Sequence, residues 1–123
     1  LCPTQWVETL SKSDPMFGSA MDWNEGFKKD YPSYTSVPYQ SAQASAAVYV
    51  WKEGFEAANS FDKDTVRDAI AAVEMETFYG DIKFSEAGNN IAKPMFMRQI
   101  GADGSYTLVE SFDDVSFPRN VTY

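Results

Sequence analysis

The first half of the chain repeats its apolar positions at helical spacing and the second half at strand spacing. Phe17, Ala20, Asn24, Phe27 and Tyr31 recur at steps of three and four, with Met21 and Trp23 flanking them, which predicts a one-faced helix. Ser13, Asp14 and Pro15 precede that stripe. A carboxylate there caps free N–H groups and proline fills a first turn without losing a needed donor, so the helix is expected to start at these residues and end near Asp30. Gly18 and Gly26 each weaken it by about 1 kcal/mol relative to alanine, which leaves tertiary packing to hold it.

Residues 32–38, with Pro32 and Pro38, read as an extended connector. A longer helix is predicted over Tyr39 to Ala58. Its expected core stripe is Ala44, Ala47, Val48, Trp51, Phe55 and Ala58, but Ala42, Ala46, Tyr49 and Val50 fill most of the remaining circumference. A helix apolar nearly all round is expected to be covered on more than one side. Asp62 caps a third helix, with Phe61 and Val66 spaced as a hydrophobic staple and Ala69, Ile70 and Val73 continuing its face toward Glu76. After Thr77 the period becomes two. Strands are predicted at Ile82 to Phe84, Met95 to Ile100 and Tyr106 to Val109, the last two joined by the turn Gly101-Ala102-Asp103-Gly104. Residues 1–109 are thus read as one ordered region and 110–123 as an irregular tail.

Composition narrows what such a chain can do. At 123 residues with 44% hydrophobic and 15% aromatic content, it has the makings of one packed domain. Ten Lys and Arg against 18 Asp and Glu give a net charge of -8, a surface that repels phosphate and argues against nucleic acid as a partner. The absence of histidine removes Ser-His-Asp and Cys-His catalysis and histidine-based zinc sites from this chain. Cys2 is the single cysteine, so an internal disulfide and a thiolate metal cage are excluded; a lipid-anchored cysteine would need small residues around it, and Trp6 and Val7 follow closely instead. No run reaches the roughly 18 to 20 apolar residues that a membrane-spanning helix needs. Leu1 opens without a signal-peptide pattern, and the chain is expected to begin inside something longer.

Candidate chemistry is sparse. Asp62, Asp64 and Asp68 imitate a calcium loop, but Arg67 stands where the turn glycine belongs and Val73 where a bidentate glutamate is required, so no metal is expected. Asp113-Asp114 points in opposite directions as neighbours in an extended segment, a poor acid/base pair. Gly80, Gly88, Gly101 and Gly104 are too dispersed for a phosphate loop, and Asn120-Val121-Thr122 fits a glycosylation triplet that is common by chance. Tyr31, Tyr34 and Tyr39 surround two prolines and offer ring faces and hydroxyls, either to a small ligand or to the core. No enzyme constellation and no cofactor site emerge.

Four pieces in order, F-G-S-A-M-D-W-N-E-G-F-K-K-D-Y from Phe17, the small-residue helix from Pro38 into V-R-D-A-I, T-F-Y-G-D-I-K-F-S-E-A-G-N-N from Thr77, and Met97-Arg98-Gln99 with Asp103-Gly104, resemble the carboxyl-terminal part of ABC-importer solute receptors of the branched-chain amino acid, amide and urea type. Ser85 stands where that family usually has Asp, and its common W-P ending is missing. The resemblance implies an α/β fold, part of a two-lobed type I periplasmic-binding architecture, seen here as three helices followed by a three-stranded antiparallel ribbon. It further implies capture of a small polar organic solute, periplasmic or extracellular location, membrane permease subunits as partners, and the remainder of the two-lobed domain as cover for the long helix. Tyr39 and Gln40, just at the start of that helix, are the expected ligand contacts. A sensing module of the same fold and a small protein-interaction domain are the alternatives.

Overall fold

A computed structural model describes residues 1–93 and 95–109. Its elements run β1 (Cys2–Thr4), β2 (Ser13–Asp14), β3 (Gly18–Ser19), α1 (Ala20–Asp30), α2 (Tyr39–Ala58), α3 (Lys63–Ala71), β4 (Glu74–Thr77), β5 (Gly80–Lys83), β6 (Phe96–Ile100) and β7 (Tyr106–Val109). This mixture of helices and small antiparallel sheets is the α/β composition expected. The expected tail lies outside the described residues. The described residues form two compact units, one from residues 1–5 and 95–109, the other from residues 6–93.

In the first unit β6 and β7 pair antiparallel, Met97 with Val109 and Ile100 with Tyr106. The turn between them is held by the Asp103 carboxylate, which accepts from the Ser105 N–H at 3.0 Å and hydroxyl at 2.7 Å. The third strand is β1, with Cys2 opposite Arg98 and Thr4 opposite Phe96. The strand around Ile82 that the sequence offered for this place pairs with β4 instead. Strand period says which residues alternate; it does not say which edge they join.

The second unit is built on aromatic contacts. Trp6, Trp23 and Phe78 are buried with Ala20, Ala42, Ala46 and Tyr79. Phe78 is fully buried in the β4–β5 turn, its ring stacked at 5.1 Å on Trp23 and edge-on to Phe17 at 5.2 Å and Trp6 at 6.3 Å. Its backbone is held as firmly: its N–H donates to Asp14 Oδ2 at 2.8 Å and its carbonyl accepts from Trp6 Nε1 at 3.2 Å. Asp14 Oδ1 also accepts from the N–H groups of Met16 and Phe17 at 2.9 and 2.7 Å. A buried carboxylate so surrounded by donors is well compensated.

That arrangement revises the start of the first helix. Asp14 does bind the N–H groups two and three residues ahead, but they belong to a turn between β2 and β3. Gly18, at φ +75° with a carboxylate oxygen of Asp22 only 2.8 Å from where a Cβ would lie, turns the chain again. Ser19 then caps α1, accepting from the Asp22 N–H at 3.1 Å while Asp22 accepts from the Ser19 N–H at 2.8 Å. This reciprocal capping box satisfies two end donors at once, which a lone aspartate cap does not.

The long helix has the expected limits but turns a different face inward. Ala42, Ala46, Tyr49, Val50 and Gly54 are buried, whereas Val48 is 66% and Trp51 55% exposed. Small residues decide this, because they let neighbouring backbones come close: at Gly54 a Cβ would lie 2.3 Å from Ile70 Cγ1 and 3.3 Å from the Ile70 Cα. The third helix is capped as expected, Asp62 accepting from the Thr65 N–H at 2.9 Å, but the staple does not close. Phe61 is 97% exposed, and its ring lies 6.2 Å from Phe55. The helix also stops at Ala71, so Glu74–Thr77 is strand where a helical face was expected to continue.

Two substitutions test this account. Asp14→Ala leaves the Phe78 N–H buried without its acceptor and is expected to reduce unfolding free energy by about 2–4 kcal/mol in urea titration, with Asp14→Asn losing less. Gly54→Ala gains up to about 1 kcal/mol of helix propensity but must displace Ile70, so a net loss of about 1–3 kcal/mol is expected. An unchanged midpoint would mean that α2 and α3 are not held this closely.

Candidate functional site

The start of α2 and the β4–β5 turn place Tyr39 against the buried cluster. Tyr39 is partly buried and packs on that cluster, so it is at least partly a core anchor, while Gln40 beside it is exposed. Within the same unit, Tyr39 lies near enough to Tyr79 for its charge to contribute to the high Tyr79 pKa. Tyr79 is brought there by a tight turn: the Thr77 hydroxyl donates to the Gly80 carbonyl at 2.7 Å and accepts from the Tyr79 N–H at 3.2 Å. Gly80 sits at φ +127°, a conformation that side chains rarely adopt.

From Tyr79 a concavity of about 230 Å³ runs between α2, α3 and β5. Its walls are mostly apolar, with Val50, Trp51, Ile70 and Ile82 prominent; Gln43, Asn90 and Tyr79 bring polar groups to it. Gln43 lies one turn beyond Tyr39 on α2, but neither Tyr39 nor Gln40, the residues expected as ligand contacts, is among the residues that line this groove. Asn90 is structural: its amide donates to the Asp81 carbonyl at 3.0 Å and accepts from the N–H groups of Lys83 and Ala92 at 3.2 and 3.1 Å. Apolar walls with few polar groups suit a small organic molecule better than an ion.

Lys93 completes the setting of Tyr79. Its Nζ lies 3.3 Å from the Tyr79 ring centroid and donates to the Tyr79 carbonyl. Burial pushes the Lys93 ammonium down to about 8, although the ring face and carbonyl favour its charged form. Burial first, and the neighbouring Tyr39 second, push the Tyr79 phenol up to about 12. Tyr79 is therefore a neutral hydroxyl at ordinary pH. Neither Tyr79 nor Lys93 was singled out in the sequence; the T-F-Y-G motif carried the signal, but nothing in it shows that Lys93 returns to the turn.

The other candidates resolve into structure. Tyr31 and Tyr34 pack their rings on Phe27 at 4.9 and 5.6 Å and remain about half exposed. Asp62 is a helix cap, and Asp64 and Asp68 pair with Arg67 at 3.3 and 2.8 Å. Among the described residues no group of carboxylates and thiols is placed to hold a metal ion. Cys2 is a half-buried free thiol in β1. Asp113-Asp114 and the triplet at Asn120 lie outside the described residues.

A family model described as periplasmic binding protein matches residues 2–105. The match spans most of the chain and includes every described element from β1 to the turn before β7.

The Lys93 environment has a measurable consequence. Its folded pKa is lowered to about 8 from 10.5, so between these values the unfolded chain binds more protons and stability rises with pH. The Tyr79 phenol opposes this only above its ordinary value of 10.0. Denaturant titrations between pH 8 and 10 are expected to show a gain for the natural protein relative to Lys93→Met; parallel pH profiles would show that Lys93 is not held in this way.

Proposed function

We propose that this chain, which belongs to the periplasmic binding protein family, is the carboxyl-terminal part of a receptor that captures a small polar solute of the amino acid, amide or urea type for an ABC importer. The family match over residues 2–105 carries the reading; solute binding is the general role of that family. An apolar-walled groove with Gln43 in its lining supports it. A side-chain amide can hold a ligand by hydrogen bonds that a neutral or zwitterionic solute satisfies. No covalent step is required of the site. Tyr39 and Gln40, at the start of α2 and outside the groove's own lining, serve as wall or lid contacts once the remainder of the domain closes, and release goes to permease subunits in the membrane.

The exposed apolar face of α2, with Val48 and Trp51, fits the same reading as the surface covered by the remainder of a two-lobed domain that closes by hinge motion. A thermal-shift panel of amino acids, amides and urea on the full-length protein tests the solute class. One class is expected to raise the melting temperature, since a ligand at a hundred times its Kd adds about 2.7 kcal/mol of stability. A flat response across the panel would overturn the assignment. Tyr39→Ala and Gln40→Ala are expected to weaken that ligand by about tenfold, the loss of roughly one good hydrogen bond or ring contact; unchanged affinity removes them from the site.

A further inference from the structure

A second concavity, sharing no lining residue with the α2 groove, runs along α1 and measures about 390 Å³. Two parallel rows of residues along α1 form most of its lining, with Met16, Phe17 and Ser45 beside them. Asp22, Gly26 and Asp30 follow one another at steps of four, and beside them run Trp23, Phe27 and Tyr31, the spacing that stacks side chains along one helix face. The aromatic row is continuous, with ring centroids 5.4 Å apart from Trp23 to Phe27 and 4.9 Å from Phe27 to Tyr31. Its lining contains two carboxylates and no cation.

Neither carboxylate is paired with a cation among the described residues. Asp22 is held ionised below the usual carboxylate range by its bonds from the Ser19 hydroxyl and N–H, both of which engage Oδ2. Gly26 between them is exposed, and a Cβ there would meet nothing within 4 Å. Packing therefore gives no reason for a helix-disfavouring residue at this place. What the missing side chain leaves is open floor between the two carboxylates.

We propose that this groove binds a linear aliphatic polyamine, its ammonium groups on Asp22 and Asp30 and its methylenes along Trp23, Phe27 and Tyr31. Eight helical residues separate the two carboxylates by about 12 Å along the axis, a span suited to a chain with amines at both ends and poorly suited to one small cation. Ring faces attract both the ammonium charge and the C–H groups polarised by it.

Isothermal titration of the full-length protein with spermidine, and with butylamine as a single-charge control, tests the assignment at 0.15 M salt, where weak surface attraction is screened. Saturable binding of one spermidine is expected, with butylamine at least about tenfold weaker and Asp30→Asn weakening spermidine by about tenfold, as for loss of one charge-assisted contact. Gly26→Ala gives a second, folding-independent reading: it is expected to raise the melting temperature without ligand and still weaken spermidine. Equal binding of the two amines, or spermidine affinity unchanged by both variants, would overturn the proposal. The panel of amino acids, amides and urea reads the α2 groove separately, so either result can fail alone.

Discussion

Phe78 is the residue on which the larger unit depends, because its ring and both its backbone polar groups are engaged by different parts of the chain. Trp6, Phe17 and Trp23 surround the ring, Asp14 takes its N–H and Trp6 binds its carbonyl. A tight turn normally faces water so that its backbone can be solvated. Here the turn is buried, and it can be buried only because those polar groups are satisfied by side chains from over sixty residues away.

Both concavities follow from that anchoring. On one side of the turn, Tyr79 is directed toward α2 and Lys93, where apolar walls and a neutral phenol form a groove suited to an organic solute. On the other side, Trp23 stacks on Phe78 and so fixes the rotation of α1 about its axis. With Trp23 inward, Asp22 and Asp30 must lie at the groove's edge and Phe27 and Tyr31 must continue the ring row. One buried phenylalanine thus orients the residues of two separate surfaces.

Several charged side chains have structural tasks in this chain. Asp14 organises a turn, Asp22 and Asp62 cap helices, Asp103 shapes a hairpin, and Lys12 pairs with Glu76 at 2.7 Å and Asp81 at 2.9 Å. With no histidine in the sequence and many of its carboxylates committed to caps, turns and pairs, the chain is equipped to present fixed polar groups. That suits recognition of a solute, and it agrees with membership of a binding-protein family.

Much of this was legible along the chain. Helical period and the two prolines set α2 at Tyr39–Ala58, alternation marked β6 and β7, and Asp62 marked the third helix, since these depend on spacing and local capping. The T-F-Y-G segment also opened one of the four pieces that carry the family resemblance. Its physical reason came only from the fold, where Thr77, Phe78, Tyr79 and Gly80 each hold a distinct contact. The inward face of α2 was not legible, because a helix apolar all round has no preferred side until small residues such as Ala42, Ala46 and Gly54 meet close neighbours. Nor were the pairing of β1 with β6 or the return of Lys93 to Tyr79, which join residues distant in sequence. Local spacing determines where elements begin and which residues share a face; only tertiary packing decides which face is buried and which distant side chain completes a site, because those energies come from contacts that no local pattern contains.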